Sequence, residues 1–251
     1  MSKDICLMAH LVAGFPDRET ALKVADSLVE GGAKILEIQL AFSDPSADGP
    51  AIQTASTMAL AGGFSTDMAF DFISEVHKRH PQIPIFLMTY GSLAYTPGVE
   101  DFIHRAHDAG ISGAIIPDLP FDHDEGLTAA CHKYGMENIP VAAPSMTEER
   151  LEKMAKAGFP YIYAALRAGI TGQKTVIDEG TLRFIDKAGK CGSKILGGFG
   201  IRSGEQSKVL APHVYAVVAG SVFVNVILEN LNSREKIPAL VKAKAQELAG
   251  K

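Results

Sequence analysis

Two acidic residues stand out in the stretch "LEIQLAFSDPSADGPAIQ" (36–53): Glu37 inside an apolar run, and Asp48 in the Pro- and Asp-rich loop that follows. A carboxylate in a buried strand is costly unless it is paired or used. Alternation puts Glu37 and Gln39 on one face of the strand and Leu36, Ile38 and Leu40 on the other. If the polar face points into a pocket, Glu37 is a candidate for a group that both donates and accepts a proton; the alternative is a structural Glu bonded to backbone or to a Lys. Asp48 reads as ordinary turn chemistry by itself. Beside Glu37 it becomes a second carboxylate, expected in a more solvated and ionised state, so that the two divide acid/base work from charge stabilisation.

A second kind of chemistry is suggested near the other end of the chain. "GGFG" (197–200) and "AGS" (219–221) each close an apolar run, and the second leads into "VFVNVILEN", a helical pattern. Backbone N–H groups of Gly220 and Ser221 at a helix start make an anion site, and paired Gly-rich ends suit phosphate. "LRAGITGQKT" (166–175), with Thr171 and Gly172, reads as either a lid or an ordinary surface loop. The pairs His77/His80 and His104/His107 have metal-compatible spacing but no carboxylate-rich companion motif, so solvated helix faces are expected and no metal site. Tyr90 and Tyr163 read as core aromatics with a polar tip.

The elements that must hold these residues recur along the chain. A helical segment ends at Gly and a short apolar run begins within a few residues, in "EGGAKILEI", "DAGISGAIIP", "KYGMENIPVA", "KAGFPYIYAA" and "KCGSKILGGFG". Ala21, Val24, Ala25, Leu28 and Val29 have helical spacing, and Ser145 with Glu148, and Ser203 with Gln206, have the spacing of a capping box. Strands are predicted near 6–12, 34–40, 84–90, 112–117, 139–143, 161–166, 194–199 and 215–219. Eight β/α units in 251 residues predict an α/β fold, a (β/α)8 TIM barrel forming a single domain over 1–251. A Rossmann-like sheet is the competitor, but no GxGxxG follows the first strand.

Composition narrows the function. The net charge of −5 argues against a nucleic-acid binder, and no window reaches the length of a membrane span. Three widely spaced cysteines, Cys6, Cys131 and Cys191, indicate neither a disulfide framework nor a zinc site, which fits a reducing cytoplasm. The N-terminus lacks the pattern of a signal peptide.

With these pieces assembled, "LEIQLAFSDPSADGPAIQ" resembles the signature of the tryptophan synthase alpha subunit, and "HPQIPIFLMTY", "GAIIPDLP", "YIYAALRAGITG", "GGFGI" and "VVAGS" continue the resemblance in matching order. It implies a lyase that cleaves indole-3-glycerol phosphate to indole and glyceraldehyde 3-phosphate. It implies Glu37 as general acid/base, Asp48 on the indole N–H, and Tyr163 bordering the site. Gly172, Gly200, Gly220 and Ser221 would bind phosphate, Thr171 would belong to the lid, and Phe15 and Phe199 would wall the indole pocket. No metal or organic cofactor is implied in this subunit. The implied partner is a pyridoxal-phosphate beta subunit in an α2β2 assembly, contacted through Asp44 and neighbouring loops.

The chain departs from the family pattern with Gln39-Leu40-Ala41 in place of Gly-Ile/Val-Pro, which implies a less stiff loop and a less firmly placed carboxylate. Ser92 stands where Asn is common, and the N-terminal helix that covers the barrel bottom is expected to be shortened or absent. Two other readings stay open: another phosphate-sugar barrel enzyme of the same pathway, and a weakly active activator of a beta subunit.

Overall fold

The computed structural model describes residues 5–166 and 177–251. Nine parallel segments form one sheet: β1 Leu7–Val12, β2 Ala33–Gln39, β3 Ile85–Met88, β4 Gly113–Ile115, β5 Glu137–Asn138, β6 Val141–Ala142, β7 Tyr161–Ala165, β8 Lys194–Gly198 and β9 Ala216–Ala219. Their order is β5-β4-β3-β2-β1-β9-β8-β7-β6. β5 and β6 lie at opposite ends of that order but are separated in sequence only by Ile139 and Pro140. Ile139 N donates to Ala114 O at 2.9 Å on one side, and Pro140 O accepts from Tyr163 N at 2.9 Å on the other. The two pieces are therefore one barrel strand, broken because Pro140 has no N–H to give the ladder. The predicted fifth strand, 139–143, thus begins two residues earlier and splits at its proline.

Helices follow the strands and cover the sheet. Arg18–Gly31 follows β1; Pro50–Ala61 and Thr66–Arg79 follow β2; Gly91–Tyr95 and Val99–Asp108 follow β3; Leu127–Lys133 follows β4. Glu148–Lys156 follows β6, Glu179–Ala188 follows β7, Gly204–Leu210 follows β8, and Ser221–Leu228 and Ile237–Leu248 follow β9. The predicted helix–Gly–strand boundary is present: Gly32, at φ 110°, caps the first helix by donating to carbonyls of its last turn. Gly110, Gly135, Gly158 and Gly192 share its left-handed backbone.

The two capping boxes fare differently. Ser203 accepts from Gln206 N, while Gln206 Oε1 accepts at 2.8 Å from Arg202 N, one residue before the cap. The first box is corrected: Thr147, not Ser145, caps Glu148–Lys156, accepting from Arg150 N.

Alternation along the strands divides the core in two. Leu36 and Ile38 face outward into the large cluster between sheet and helices, with Leu7, Ala9 and Leu11. Met8, Ile35, Phe86, Met88, Ile115, Leu196, Ala216 and Val218 face inward and fill the barrel. Glu37, Gln39 and His10 share the inward parity and are the polar residues above that plug.

Candidate active site

A cavity opens above the inner cluster at the C-terminal ends of the strands, where barrel enzymes keep their sites. Glu37, Gln39 and Asp48 line one side; Tyr163, Phe199 and Gly200 line another, and Gly220 with Ser221 closes it. Glu37 is 4% exposed. The parallel register sets His10 of β1 opposite Glu37 of β2, and His10 Nδ1 lies 3.0 Å from Glu37 Oε2.

Asp48 corrects an expectation. It is 2% exposed rather than solvated, and burial pushes its carboxyl above the usual range. Two donors oppose that push: Gln39 Nε2 at 2.6 Å and Tyr90 Oη at 2.8 Å, both on Asp48 Oδ2. Gln39 is fully buried at the end of β2, so the residue that departs from the family pattern holds the carboxylate instead of loosening it. Tyr90 also accepts from Ala47 N at 3.2 Å, which ties the loop to its anchor, and its ring stacks on Phe42. Burial, reinforced by Asp48, raises the Tyr90 hydroxyl far above its ordinary range, so it is a donor at any working pH.

Tyr163 projects from β7 and is raised well above its ordinary value by burial and by the Glu37 and Asp48 carboxylates. Phe199 meets it edge to face at 6.1 Å between ring centres. Phe199 has φ 84°, a left-handed conformation uncommon outside glycine, and it sits where the chain turns out of β8. Backbone strain of this kind concentrates where a side chain must be aimed at a site.

Among the predicted site residues, the cavity brings together Glu37, Asp48, Tyr163, Phe199, Gly200, Gly220 and Ser221. Phe15 does not join them: it packs in the outer cluster, because its position past the end of β1 turns it toward the helices. Thr171 and Gly172 lie outside the described residues. His10 is the participant that sequence reading missed; Tyr90, expected as a core aromatic with a polar tip, is buried in the inner cluster and its tip holds Asp48. His10 sits two residues from inward-facing Met8, but only the register against β2 reveals its partner.

On the helices, His80 Nε2 is 2.7 Å from Asp26 Oδ1 and His104 stacks on Tyr134, while His77, expected on a solvated face, packs against Gly110 with its Nδ1 buried and without a hydrogen-bond partner. Among the described residues there is no group of three or more His, Cys, Asp or Glu arranged for a metal, and no helix long and apolar enough to cross a membrane.

The fold and cavity define a parallel β/α barrel with two buried carboxylates and a helix start converging on one pocket. The chain matches the family model of the tryptophan synthase alpha chain over residues 2–251. It is 37% identical to the tryptophan synthase alpha chain of Methanosarcina barkeri, covering 96% of this chain and 90% of that one. Against that of Leptospira interrogans it is 36% identical, covering 98% and 95%. A solved chain from work on the tryptophan synthase α2β2 complex of Pyrococcus furiosus superposes with a TM-score of 0.89 at 33% identity, each chain covered in full. The chain belongs to the tryptophan synthase alpha chain family.

Proposed function

We infer that the protein is a lyase of tryptophan biosynthesis that cleaves indole-3-glycerol phosphate by a retro-aldol reaction, releasing indole and glyceraldehyde 3-phosphate. The observation that carries the reading is the convergence of Glu37 and Asp48, both buried, on one cavity with an aromatic wall.

Breaking the carbon–carbon bond requires the indole ring to accept an electron pair, so the ring carbon bearing the side chain must first be protonated. Glu37 gives that proton, and it then takes the proton of the side-chain hydroxyl as the aldehyde forms. Protonation at carbon leaves the ring nitrogen cationic. Asp48 meets that charge inside a low-dielectric site, where one charge stabilises another far more than in water. Its burial sharpens the effect: the ionised carboxylate is uncomfortable in the empty cavity and is relieved as the cation develops, which is stabilisation specific to the transition state.

Tyr163 and Phe199 flank the indole. The cavity's described residues include no Lys or Arg, so phosphate falls to the backbone N–H groups of Gly200, Gly220 and Ser221 and to the start of the helix Ser221–Leu228. Gly172 and Thr171 complete that reading on the loop after β7. These steps draw on no metal or organic cofactor in this chain. Pyridoxal phosphate belongs to a beta subunit, with which the chain assembles as α2β2 through the exposed loop around Asp44. One barrel domain spans 1–251, and the unpaired Cys6, Cys131 and Cys191 fit a cytoplasmic enzyme.

The test is indole release by the chain alone and with a beta subunit. Glu37→Gln is expected to lower turnover by about a thousandfold, while glycerol 3-phosphate affinity stays within about threefold. Retained turnover in the variant would refute the assignment. A wild type with no lyase activity in either setting, but with stimulated beta chemistry, would favour the activator reading.

A further inference from the structure

His10 Nε2 is buried and has no hydrogen-bond partner, although its residue lines the cavity and its other ring nitrogen is engaged with Glu37. An orphaned polar atom in such a place calls for a partner that arrives with a ligand. Its neighbourhood indicates which part of the ligand: a Cβ built on Gly220 would lie 3.2 Å from His10 Cβ, so the ring stands beside the helix start read above as the phosphate end of the site.

The proton arithmetic of the pair gives this atom a second meaning. With Glu37 ionised and His10 neutral, the 3.0 Å contact requires the proton on Nδ1, which leaves Nε2 a bare acceptor. With one more proton on the pair, either the carboxyl is protonated and donates to Nδ1, or the imidazole is a cation; in both cases Nε2 carries a hydrogen and is a donor. Nε2 therefore reports whether the pair is loaded with the proton that the reaction needs.

We propose that His10 is a positioning residue for Glu37 whose free ring nitrogen donates to an oxygen of the substrate's glycerol phosphate chain, so that substrate binding selects the proton-loaded state of the Glu37–His10 pair. The inference rests on the lyase reading for its catalytic consequence, but not for its binding consequence. The proton count closes over a turnover: the loaded pair loses one proton through Glu37 to the ring carbon, the carbon–carbon bond breaks with its electron pair entering the ring, and the hydroxyl proton returns to Glu37. Between the two transfers His10 keeps its Nε2–H on the substrate oxygen, so the Nδ1–Glu37 contact is left without a hydrogen, and the returning hydroxyl proton restores it.

The other titratable side chains lining the cavity are Glu37 on β2, Asp48 on the following loop and Tyr163 on β7. Tyr90 reaches the group through Asp48, while β9 and the helix start add Val218, Gly220 and Ser221, which do not ionise. Among the described residues no Lys or Arg shares the cavity.

The test is calorimetric binding of glycerol 3-phosphate at about pH 8, where a phosphate monoester is already dianionic, in two buffers of different ionisation enthalpy. Wild type is expected to take up protons on binding. His10→Phe and His10→Asn are expected to lose at least half of that uptake, since neither side chain titrates. Asn can still donate to Glu37, so His10→Asn is expected to recover part of the roughly hundredfold loss of kcat in His10→Phe, without restoring the linkage.

Thermal melting establishes that each variant is folded, and the Asn variant serves alone if the Phe variant is not. Undiminished proton uptake in the variants, or a pH profile of kcat superimposable on that of wild type, would overturn the proposal. Absence of indole release by the wild type would instead count against the lyase reading and leave the calorimetric result to decide the role of His10.

Discussion

Removing the Tyr90 hydroxyl measures how firmly the fold holds its second carboxylate. In Tyr90→Phe the ring and its stacking on Phe42 remain, while two hydrogen bonds go: the donation to Asp48 Oδ2 at 2.8 Å and the acceptance from Ala47 N at 3.2 Å. A bond to a charged acceptor is worth about 1.5–3 kcal/mol, and the loss at the half-buried Ala47 N–H, which water partly replaces, adds about 1 kcal/mol. The expected destabilisation at pH 7 is therefore roughly 3 kcal/mol. As pH falls and Asp48 takes up a proton, the bond in the wild type becomes neutral and worth about 0.5–1.5 kcal/mol, so the cost of the substitution shrinks by about 1 kcal/mol or more.

Urea unfolding of wild type and variant across pH, with unchanged slope as the check on two-state behaviour, reads both quantities. Gln39 donates to the same oxygen, so Gln39→Ala combined with Tyr90→Phe should not be additive. A cost at pH 7 below about 1 kcal/mol, or one that grows toward acid, would refute the account of how Asp48 is held.

Two further outcomes follow from the same geometry. Burial raises the Asp48 carboxyl above its ordinary value of 3.8, so its ionised form costs stability at neutral pH, and the wild type loses that stability as pH rises through the folded-state value. Asp48→Asn should then be more stable than wild type at pH 7 by about 1 kcal/mol and equal to it below pH 3.8, while turnover falls by about a hundredfold; melting curves and an indole assay check the pair. In Gly198→Ala the new Cβ would stand 2.7 Å from Tyr163 Oη and 2.8 Å from Val218 Cβ. Overpacking of about 1–3 kcal/mol and a raised KM from a displaced Tyr163 are expected, measured by melting and steady-state kinetics.

Much of the architecture was legible in the chain because it is written in local chemistry. Gly at the ends of helices, apolar runs too hydrophobic for a half-solvated sheet and the 3.6-residue spacing between them require no knowledge of distant residues. The earlier start and the break of the fifth strand escape the sequence for the opposite reason: the break at Pro140 makes sense only once the two halves are seen pairing with β4 and β7. Ser145 lost the cap to Thr147 because both residues suit that position, and only the helix packing against the barrel sets where its first turn begins.

The site divides along the same line. Sequence alone determined that Glu37 and Gln39 share a strand face, that Asp48 follows on a loop, and that glycines precede a helix at Gly220 and Ser221. Tertiary structure decided their environment and company. Asp48, in a loop sequence that suggests solvent, is buried because Gln39 and Tyr90, from two neighbouring strand ends, reach it. His10, which has no motif around it, faces Glu37 because hydrogen bonding between β1 and β2 fixes the register. Alternation is a property of one strand and can be read from it; register belongs to a pair of strands, and the energy that sets it comes from the whole barrel closing.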